Sequence, residues 1–429
     1  MEIYIVQQGD SIYTISEKFG ITVERLVISN GLQYPFELII GQALVIAYPS
    51  QTHTVQEGDT LQSIADSYQI PLVKLLRNNP YLSQRLYIYP GETLIISYNT
   101  IRSIATNGYA YPYIRRDTLI KTLPNLTYLS VFNYTIADRG EIIEYRNDIE
   151  MVQTTTEYGV IPLLMLTTLT PLGEANVEIA YNFLLSKEYQ DKMLGQVVDI
   201  MKSRGYHGLN MVFNYLNENS QSLYLDLVKK ISERLQREGL LFFITINYNI
   251  MKLDNEPIVE QVDYSAFNPY VNGTIFLKFY WSTNNNPPSP VSDINNIEAL
   301  VDYVVTEVPV DKISIGKPIL GYNWSLPYIP NRSNAISITI DAAMSLAYDT
   351  GAFIEFDEAS QTPYFYYNQH SVGIPIQNVV YFIDARSIIA LNNLINEYSL
   401  YGTAVWNIMI YNPQLWTIIN SQYEIIKLL

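Results

Sequence analysis

Apolar and polar residues follow two different patterns along the chain, and the change comes near residue 100. Before it, short alternating segments enclose helical stripes such as Ile12, Ile15 and Phe19, whose spacing places them on one face of a helix. After it, near-continuous apolar runs alternate with amphipathic segments, which is typical of strands buried on both faces and connected by helices. The pattern predicts small strand-helix-helix-strand units first and a parallel α/β domain afterwards.

The first hundred residues contain one unit twice. The segment that begins "YIVQQGDSIYTIS" recurs as "HTVQEGDTLQSIA", and Gly9 and Asn30 recur 49 positions later as Gly58 and Asn79. In each copy a Gly turns the chain, and a Ser or Thr precedes the first helical stripe, where it can cap the helix. Self-similarity at this period predicts two tandem modules, 1–49 and 50–99.

The remainder, residues 100–429, predicts a TIM (β/α)8 barrel, because eight strand candidates alternate with helical segments. The segment between the seventh and eighth candidates is too long for one helix, so we expect a small α+β insertion over about residues 325–400. The eight candidates read "IATNGYAY", "LTYLSVFNY", "GVIPLLMLTT", "HGLNMVFNY", "LLFFITIN", "TIFLKFYW", "KISIGKPILGY" and "GTAVWNI".

Composition limits the classes of function that the protein can have. Hydrophobic residues make up 48% and charged residues 16% of the 429 positions, as in a folded protein. The formal charge of −16 argues against a nucleic-acid partner. With no Cys and three scattered His, we expect neither a metal site nor a cofactor. No apolar run is long enough for a membrane span, and the start "MEIYIVQQGDS" lacks the pattern of a secretion signal.

The repeated unit resembles the LysM module, which binds polymers containing N-acetylglucosamine, such as peptidoglycan and chitin. The resemblance implies a glycan groove in each copy between the first strand-helix loop and the second helix-strand loop. Two grooves on one chain would raise the avidity for a repetitive polymer. The implied groove residues are Gly9, Asp10, Ser11, Ile12, Asn30, Gly31 and Leu32 in the first copy, and Gly58, Asp59, Thr60, Leu61, Asn79, Pro80 and Tyr81 in the second.

The whole chain resembles glycoside hydrolase family 18, specifically the bacterial spore cortex-lytic N-acetylglucosaminidases with two LysM modules. The resemblance rests on the LysM pair and on "GYHGLNMVFN", "PILGYNWSLPY", "FDEASQTPYF" and "GTAVWNIMIYNPQLW". Members use substrate assistance: a Glu that ends strand four protonates the glycosidic oxygen, an Asp two residues earlier orients the substrate acetamide, and a Tyr on strand six helps to hold it. Here these positions carry Asn214, Val212 and Phe279.

This degenerate motif leads us to expect a catalytically inactive, chitinase-like protein of the spore surface or coat. LysM would anchor it to glycan, and the barrel would be a scaffold that associates with itself or with other coat proteins. We expect synthesis in the mother-cell cytoplasm, then deposition on the spore or assembly inside the cell. The vestigial cleft would comprise Tyr109, Asn214, Trp281, Tyr322, Trp324 and Trp406.

Two alternatives stay open. The first is a weakly active N-acetylglucosaminidase of cortex peptidoglycan that uses a displaced acid, for which Glu218, four residues beyond Asn214, is an unfavoured surrogate because it lies in a polar loop. The second is a lectin whose LysM modules and barrel bind glycan without cleaving it.

Overall fold

The protein is described by a computed structural model that covers residues 1–83, 85, 87–170, 173, 176–253, 256–280, 283–371 and 374–429. In both repeats, two helices pack on a two-stranded antiparallel sheet, as the repeat predicts. The first module contains β1 (Glu2–Ile5), α1 (Ile12–Phe19), α2 (Val23–Asn30) and β2 (Ala43–Ile46), and the second contains β3 (Gln51–Thr54), α3 (Leu61–Ser67), α4 (Leu72–Asn78) and β4 (Thr93–Ser97).

The capping residues explain why the module helices begin and end where they do. Ser11 and Thr60 cap α1 and α3, each in a reciprocal capping box that satisfies two backbone N–H groups. Asn30, at the end of α2, donates from Nδ2 to the Val45 carbonyl at 2.9 Å and accepts from the Val45 N–H at 2.7 Å. Asn79 makes the equivalent pair of bonds to Ile95. These amides therefore join the second helix to the closing strand in both modules.

The larger domain is a barrel. Within the described residues, eight parallel strands close on themselves, the first pairing with both the second and the eighth, so the predicted TIM-barrel fold is confirmed. The strands of the barrel are β5 (Arg102–Ala110), β6 (Tyr128–Ile136), β8 (Ile161–Thr167), β9 (Gly208–Phe213), β10 (Leu241–Ile246), β13 (Gly273–Phe276), β15 (Ile313–Pro318) and β21 (Gly402–Trp406).

Helices surround the barrel and bury its outer face. Where a Gly ends the predicted helix near residue 205, the backbone is left-handed with φ +84°, which favours glycine. None of the described helices is both long and apolar enough to span a membrane. The outer helices are α5 (Arg116–Thr122), α6 (Ile149–Glu157), α7 (Val177–Leu185), α8 (Lys187–Arg204), α9 (Gln221–Arg237), α10 (Ile294–Glu307), α12 (Ala385–Glu397) and α13 (Pro413–Gln422).

A lobe with its own sheet stands beside the barrel mouth, in the region where the sequence predicts an insertion. The antiparallel sheet has the order β14-β17-β16-β20-β19-β18, with α11 (Ile340–Thr350) packed on it. Its strands are β14 (Thr283–Asn284), β16 (Gly321–Ser325), β17 (Ala335–Ile338), β18 (Glu355–Asp357), β19 (Thr362–Ser371) and β20 (Ile374–Tyr381). The remaining strands are β7 (Ile142–Glu144), β11 (Ile250–Leu253), β12 (Glu256–Val259) and β22 (Tyr423–Ile425).

The first module is docked on the lobe and on α13. The Ile354 N–H donates to the Ile40 carbonyl at 3.0 Å, and Gln414 Nε2 donates to the Ala43 carbonyl at 2.8 Å. At Gly41 the approach is so close that a Cβ atom would lie 1.9 Å from the Ile354 carbonyl oxygen. The orientation of this module is therefore set by backbone contacts rather than by a tether.

The second module is held by a partly buried cluster of three charged side chains. Glu424, on the terminal strand β22, accepts from Lys74 Nζ at 2.7 Å and from Arg77 Nη2 at 2.6 Å. Arg77 is buried, so loss of Glu424 would leave a cation without its partner, which is costly.

The repeat supplies a matched test of the docking. Gly41 and Gly91 occupy equivalent turns with φ +86° and +92°, but a Cβ at Gly91 meets no atom within 4 Å. Both Gly→Ala changes incur the cost of a left-handed alanine, about 1–2 kcal/mol. We expect Gly41→Ala to cost about 1–3 kcal/mol more, because the chain must also move away from Ile354. Denaturant unfolding of both variants measures the difference, and equal losses of stability would contradict the docking geometry.

Candidate functional site

The interior of the barrel below the mouth holds a closed polar network. Thr245 Oγ1 donates to Asn210 Oδ1 at 2.8 Å, so the Tyr109 hydroxyl, 2.6 Å from Thr245 Oγ1, must be the donor in that pair. Asn210 Nδ2 donates to the Tyr109 hydroxyl at 3.2 Å and to Ser130 Oγ at 2.8 Å. Burial raises the pKa of Tyr109, which keeps the phenol neutral. The network fixes Tyr109 beneath the mouth.

Above this network the mouth is filled by an apolar cluster. Val212, 4% exposed, shares it with Tyr109, Phe279 and Trp406. The rings of Phe279 and Trp406 meet edge to face with centroids 4.7 Å apart, and those of Tyr109 and Trp406 lie 5.8 Å apart. Trp406 Nε1 donates to the Tyr280 carbonyl at 3.0 Å. The position that would carry an orienting Asp in the family therefore faces rings.

Asn214 lies just beyond β9 and is held by neighbouring polar side chains. Its Nδ2 donates to Thr167 Oγ1 at 3.0 Å, and its Oδ1 accepts a long bond from Asn247 Nδ2 at 3.4 Å. Since an amide has no proton of useful acidity near neutral pH, Asn214 cannot act as the general acid. It can hydrogen-bond a ligand.

Glu218 and Lys278 also lie away from the Trp406 ring. Glu218 is exposed in the loop between β9 and α9, outside the lining of the cavities at the mouth. Lys278 Nζ donates to the Tyr248 carbonyl at 3.2 Å, and burial lowers the pKa of its amino group. Neither places an acid against Trp406.

The mouth contains a cavity of about 300 Å³ on the side formed by β5, β13, β15 and β21, and we call it the barrel cleft. Trp406 and Tyr111 belong to its wall but are only 1% and 8% exposed, whereas Tyr280 is half-buried. Among the described lining residues the one carboxyl group belongs to Asp341, in the first turn of α11. Although Asp341 is open to solvent at the rim, the surrounding protein atoms remove part of its water shell and raise its pKa. A half-buried tyrosine and a carboxyl group with a raised pKa therefore line the same cavity.

Sequence reasoning missed Asp341. It lies in the insertion, far from the strand-four motif, and its neighbour Thr339 signals only a helix cap, with Thr339 Oγ1 accepting from the Ala342 N–H at 3.1 Å. The packing of α11 against the barrel mouth carries Asp341 into the cleft, and no local pattern reports that packing.

The other predicted cleft residues are placed differently. Tyr322 and Trp324 lie on β16 and are buried beneath the lobe, and Trp324 Nε1 donates to the Asn286 carbonyl at 3.0 Å. The Tyr322 ring lies 6.1 Å from that of Tyr280, so it supports the cleft wall without lining the cleft. Trp281 falls outside the described residues.

The predicted LysM groove residues make many bonds inside their own modules. Asp10 Oδ2 accepts from the Tyr4 hydroxyl and from the Gln7 N–H, both at 2.7 Å. Asp59 accepts from the Gln56 N–H at 2.7 Å, and this bond, with that from His53, lowers its pKa. These carboxylates stabilise the turn in front of the first helix of each module.

Other residues of the implied groove also serve the fold of the modules. Ile12 and Leu61 are buried in the module cores, and Gly9 and Gly58 have φ near +90° with open space beside them. At the second loop, the Leu32, Pro80 and Tyr81 side chains are half-buried. Glycan binding by these loops stays a prediction.

Metal chemistry has no visible site in the part of the chain that the structure describes, since no three His, Asp or Glu residues there are grouped in a way that could hold an ion.

The apolar mouth makes a stability prediction. Val212→Asp should destabilise the barrel by about 3 kcal/mol or more at neutral pH, because the carboxylate would be buried without a partner. Burial would raise its folded-state pKa above the unfolded value of about 4, so the deficit should shrink as the pH falls towards 4 and grow above it. Asn214→Asp is the matched control, since its partly buried site offers polar partners, and it should cost less. Thermal unfolding near pH 4 and pH 7 measures both, and a tolerated Val212→Asp would contradict the dry environment.

Solved structures with the same architecture include two spore cortex-lytic enzymes. The Bacillus megaterium QM B1551 enzyme SleL shares 29% sequence identity with a TM-score of 0.78, and the similarity covers 100% of this chain and 99% of the other. The Bacillus cereus SleL structure shares 26% identity with a TM-score of 0.78, over 99% of both chains. The similarity therefore includes both small modules, the lobe and the barrel.

Sequence relatives agree. The cortical fragment-lytic enzyme of Bacillus subtilis is 27% identical over 100% of this chain and 99% of its own length, and that of Bacillus anthracis is 26% identical over the same shares. The expectation of a catalytically inactive coat or scaffold protein was wrong: the relatives that match the chain from end to end are named for lytic activity, and none of these findings indicates a structural role. The error came from treating the strand-four acid as indispensable, whereas the structure brings another carboxyl into the cleft.

Profiles of two domain families assign the parts of the chain. Residues 4–47 and 53–97 each match the LysM domain. Residues 165–409, more than half of the chain, match glycosyl hydrolases family 18. The chain therefore belongs to glycosyl hydrolases family 18 and carries two LysM domains before its barrel.

Proposed function

We propose that the protein is a glycosylase of the spore cortex that cleaves peptidoglycan glycan at N-acetylglucosamine. The observation that carries this proposal is the end-to-end similarity to the cortical fragment-lytic enzyme of Bacillus subtilis, 27% identical over 100% of this chain. Because the similarity includes the LysM pair, the barrel and the lobe together, it extends beyond the fold of a single domain.

The barrel cleft supports a sugar substrate. A saccharide ring stacks well on an aromatic face because its C–H groups are apolar, and the half-buried Tyr280 brings such a ring into the lining. The LysM domains would hold the polymer and raise its local concentration at the cleft. An enzyme that cleaves the cortex must reach it, so we propose that the protein is associated with the spore.

Asp341 is our candidate for the displaced general acid. It shares the barrel cleft with Trp406, and its raised pKa keeps it protonated to a higher pH than an ordinary Asp, as a proton donor requires. Glu218, the surrogate considered from sequence, is exposed outside that lining. Thr339 caps the first turn of α11 and fixes the backbone that carries Asp341.

The proposed reaction follows the substrate-assisted route of the family. Asp341 gives its proton to the glycosidic oxygen as the bond from that oxygen to the anomeric carbon breaks. The acetamide oxygen of the substrate forms a bond to the same carbon, and water then opens this ring while the Asp341 carboxylate takes a proton from the water. Each proton lost by Asp341 is thereby regained.

Hydrolysis of cortical fragments tests the assignment. Asp341→Asn should lower the rate by about 10²- to 10⁴-fold, the usual contribution of general acid catalysis. In the wild type the rate should fall as the pH rises through the raised pKa of Asp341, because the proton donor is then lost. Reducing-sugar release and mass spectrometry of the products are the measurements.

Glu218→Gln is the matched control, since it also replaces a carboxylate by an amide and should leave the rate unchanged. Loss of activity in Glu218→Gln with retention in Asp341→Asn would overturn the assignment of the acid. Absence of any cleavage by the wild type would overturn the proposed function itself, even if the protein binds the fragments.

A further inference from the structure

The barrel cleft has a neighbour that belongs partly to the first LysM domain. This second cavity, of about 330 Å³, lies between that domain and the lobe, and we call it the lobe groove. Ile340, Asp341 and Asn412 line both cavities. The candidate acid therefore stands where the barrel cleft and the lobe groove meet.

One face of α11 forms the floor that connects them. Asp341, Met344, Ser345 and Tyr348 line the lobe groove, at the spacing of residues that share a helix face. From Asp341 to Tyr348 the helix rises by roughly 10 Å. The lobe groove thus extends along α11 from the residues that it shares with the barrel cleft towards the LysM domain.

The opposite wall of the lobe groove comes from the second loop of the first LysM domain. Asn30, Gly31 and Leu32 line it, together with Tyr34, whose ring is 86% exposed. A Cβ at Gly31 would lie 2.7 Å from Pro413 Cγ, so this loop rests directly on α13.

Further contacts hold the two walls in place. Tyr348 of α11 bonds Glu37 of the LysM domain, and Gln414 Nε2 donates to Asn30 Oδ1 at 3.0 Å. Because both walls are fixed before any ligand binds, an oligomer would order little protein on binding.

The chemistry of the lobe groove selects the ligand. Its described lining includes the carboxyl groups of Glu37, Asp341, Asp349 and Asp384 and no Lys, Arg or His, although Asp384 is paired with Arg386 at 2.7 Å. Carboxylates accept hydrogen bonds from hydroxyl and amide N–H groups but repel anions. Exposed tyrosine adds a stacking surface. A neutral N-acetylhexosamine oligomer fits these features, whereas a glycan that carries free carboxylates does not.

We infer that the first LysM domain is a distal subsite of the barrel cleft. One neutral N-acetylhexosamine chain runs from the barrel cleft past Asp341, along α11, to the Tyr34 side of the LysM loop. The inference takes its substrate class from the proposed function, but it assigns a different role to the LysM domain: the domain extends the substrate groove and positions the same strand that is cleaved.

Binding of thio-linked N-acetylglucosamine oligomers, which resist hydrolysis, tests this by calorimetry on the full chain. Affinity should rise at least about tenfold from the disaccharide to the hexasaccharide, equivalent to about 1.4 kcal/mol. Ser345→Trp, which fills the floor of the lobe groove, and Tyr34→Ala should each remove this gain and leave disaccharide binding unchanged.

Tyr13→Ala is the matched control, because Tyr13 is an exposed tyrosine of the same domain that does not line the lobe groove, and it should keep the gain. An affinity independent of length, or an unaltered gain in both groove variants, would overturn the inference. A hexasaccharide rich in muramic acid carboxylates that binds as tightly as the neutral one would overturn the ligand class. Because these binding measurements need no cleavage, they can contradict the inference without contradicting the proposed hydrolysis, and the reverse is also true.

Discussion

The packing of rings and aliphatic side chains against Trp406 is the constraint on which the chemistry of this protein depends. Val212 and Phe279 occupy the strand ends where the family resemblance implies an acetamide-orienting Asp and a Tyr, and with Tyr109 they form an apolar mass beside the indole. Burying a lone carboxylate there would be costly. Open space in the mouth is consequently found on the side of β5, β13, β15 and β21, where Asp341 faces it. The position of the cleft, and with it our proposal of Asp341 as the acid, follows from that one packing arrangement.

A second constraint fixes the position of the first LysM domain. Gly41 brings the backbone of the first LysM domain against Ile354, and Gly31 lies against Pro413. These contacts hold the domain at the edge of the lobe, so that its second loop and α11 enclose a common groove. A domain that could serve as a flexible anchor instead forms part of the wall of the lobe groove.

The sequence predicts the fold well because its signals are local and repeated. The repeat gives the LysM pair, with Ser11 and Thr60 capping their helices as expected, and the long apolar runs give the eight strands of the barrel. The rings of Trp406 and Tyr109 lie 5.8 Å apart at the mouth.

The candidate functional site could not be predicted from the sequence in the same way. Asp341 reaches the cleft only through the packing of α11 on the barrel mouth, and the union of two cavities depends on how separate domains dock. Both are long-range effects with no local pattern. The strand-four motif lacks the acids that the family resemblance implies, but inactivity did not follow from that, since catalysis needs a proton donor near the scissile oxygen and not at a fixed position in the sequence.

A crystal structure with an intact thio-linked N-acetylglucosamine hexasaccharide tests the central claim most directly. The account predicts a sugar ring in the barrel cleft beside Tyr280, a glycosidic sulfur within about 3–3.5 Å of an Asp341 carboxyl oxygen, and further rings along α11 towards Tyr34. Sugar density beside Asn214 with Asp341 out of reach, or confined to either LysM domain away from α11, would contradict it.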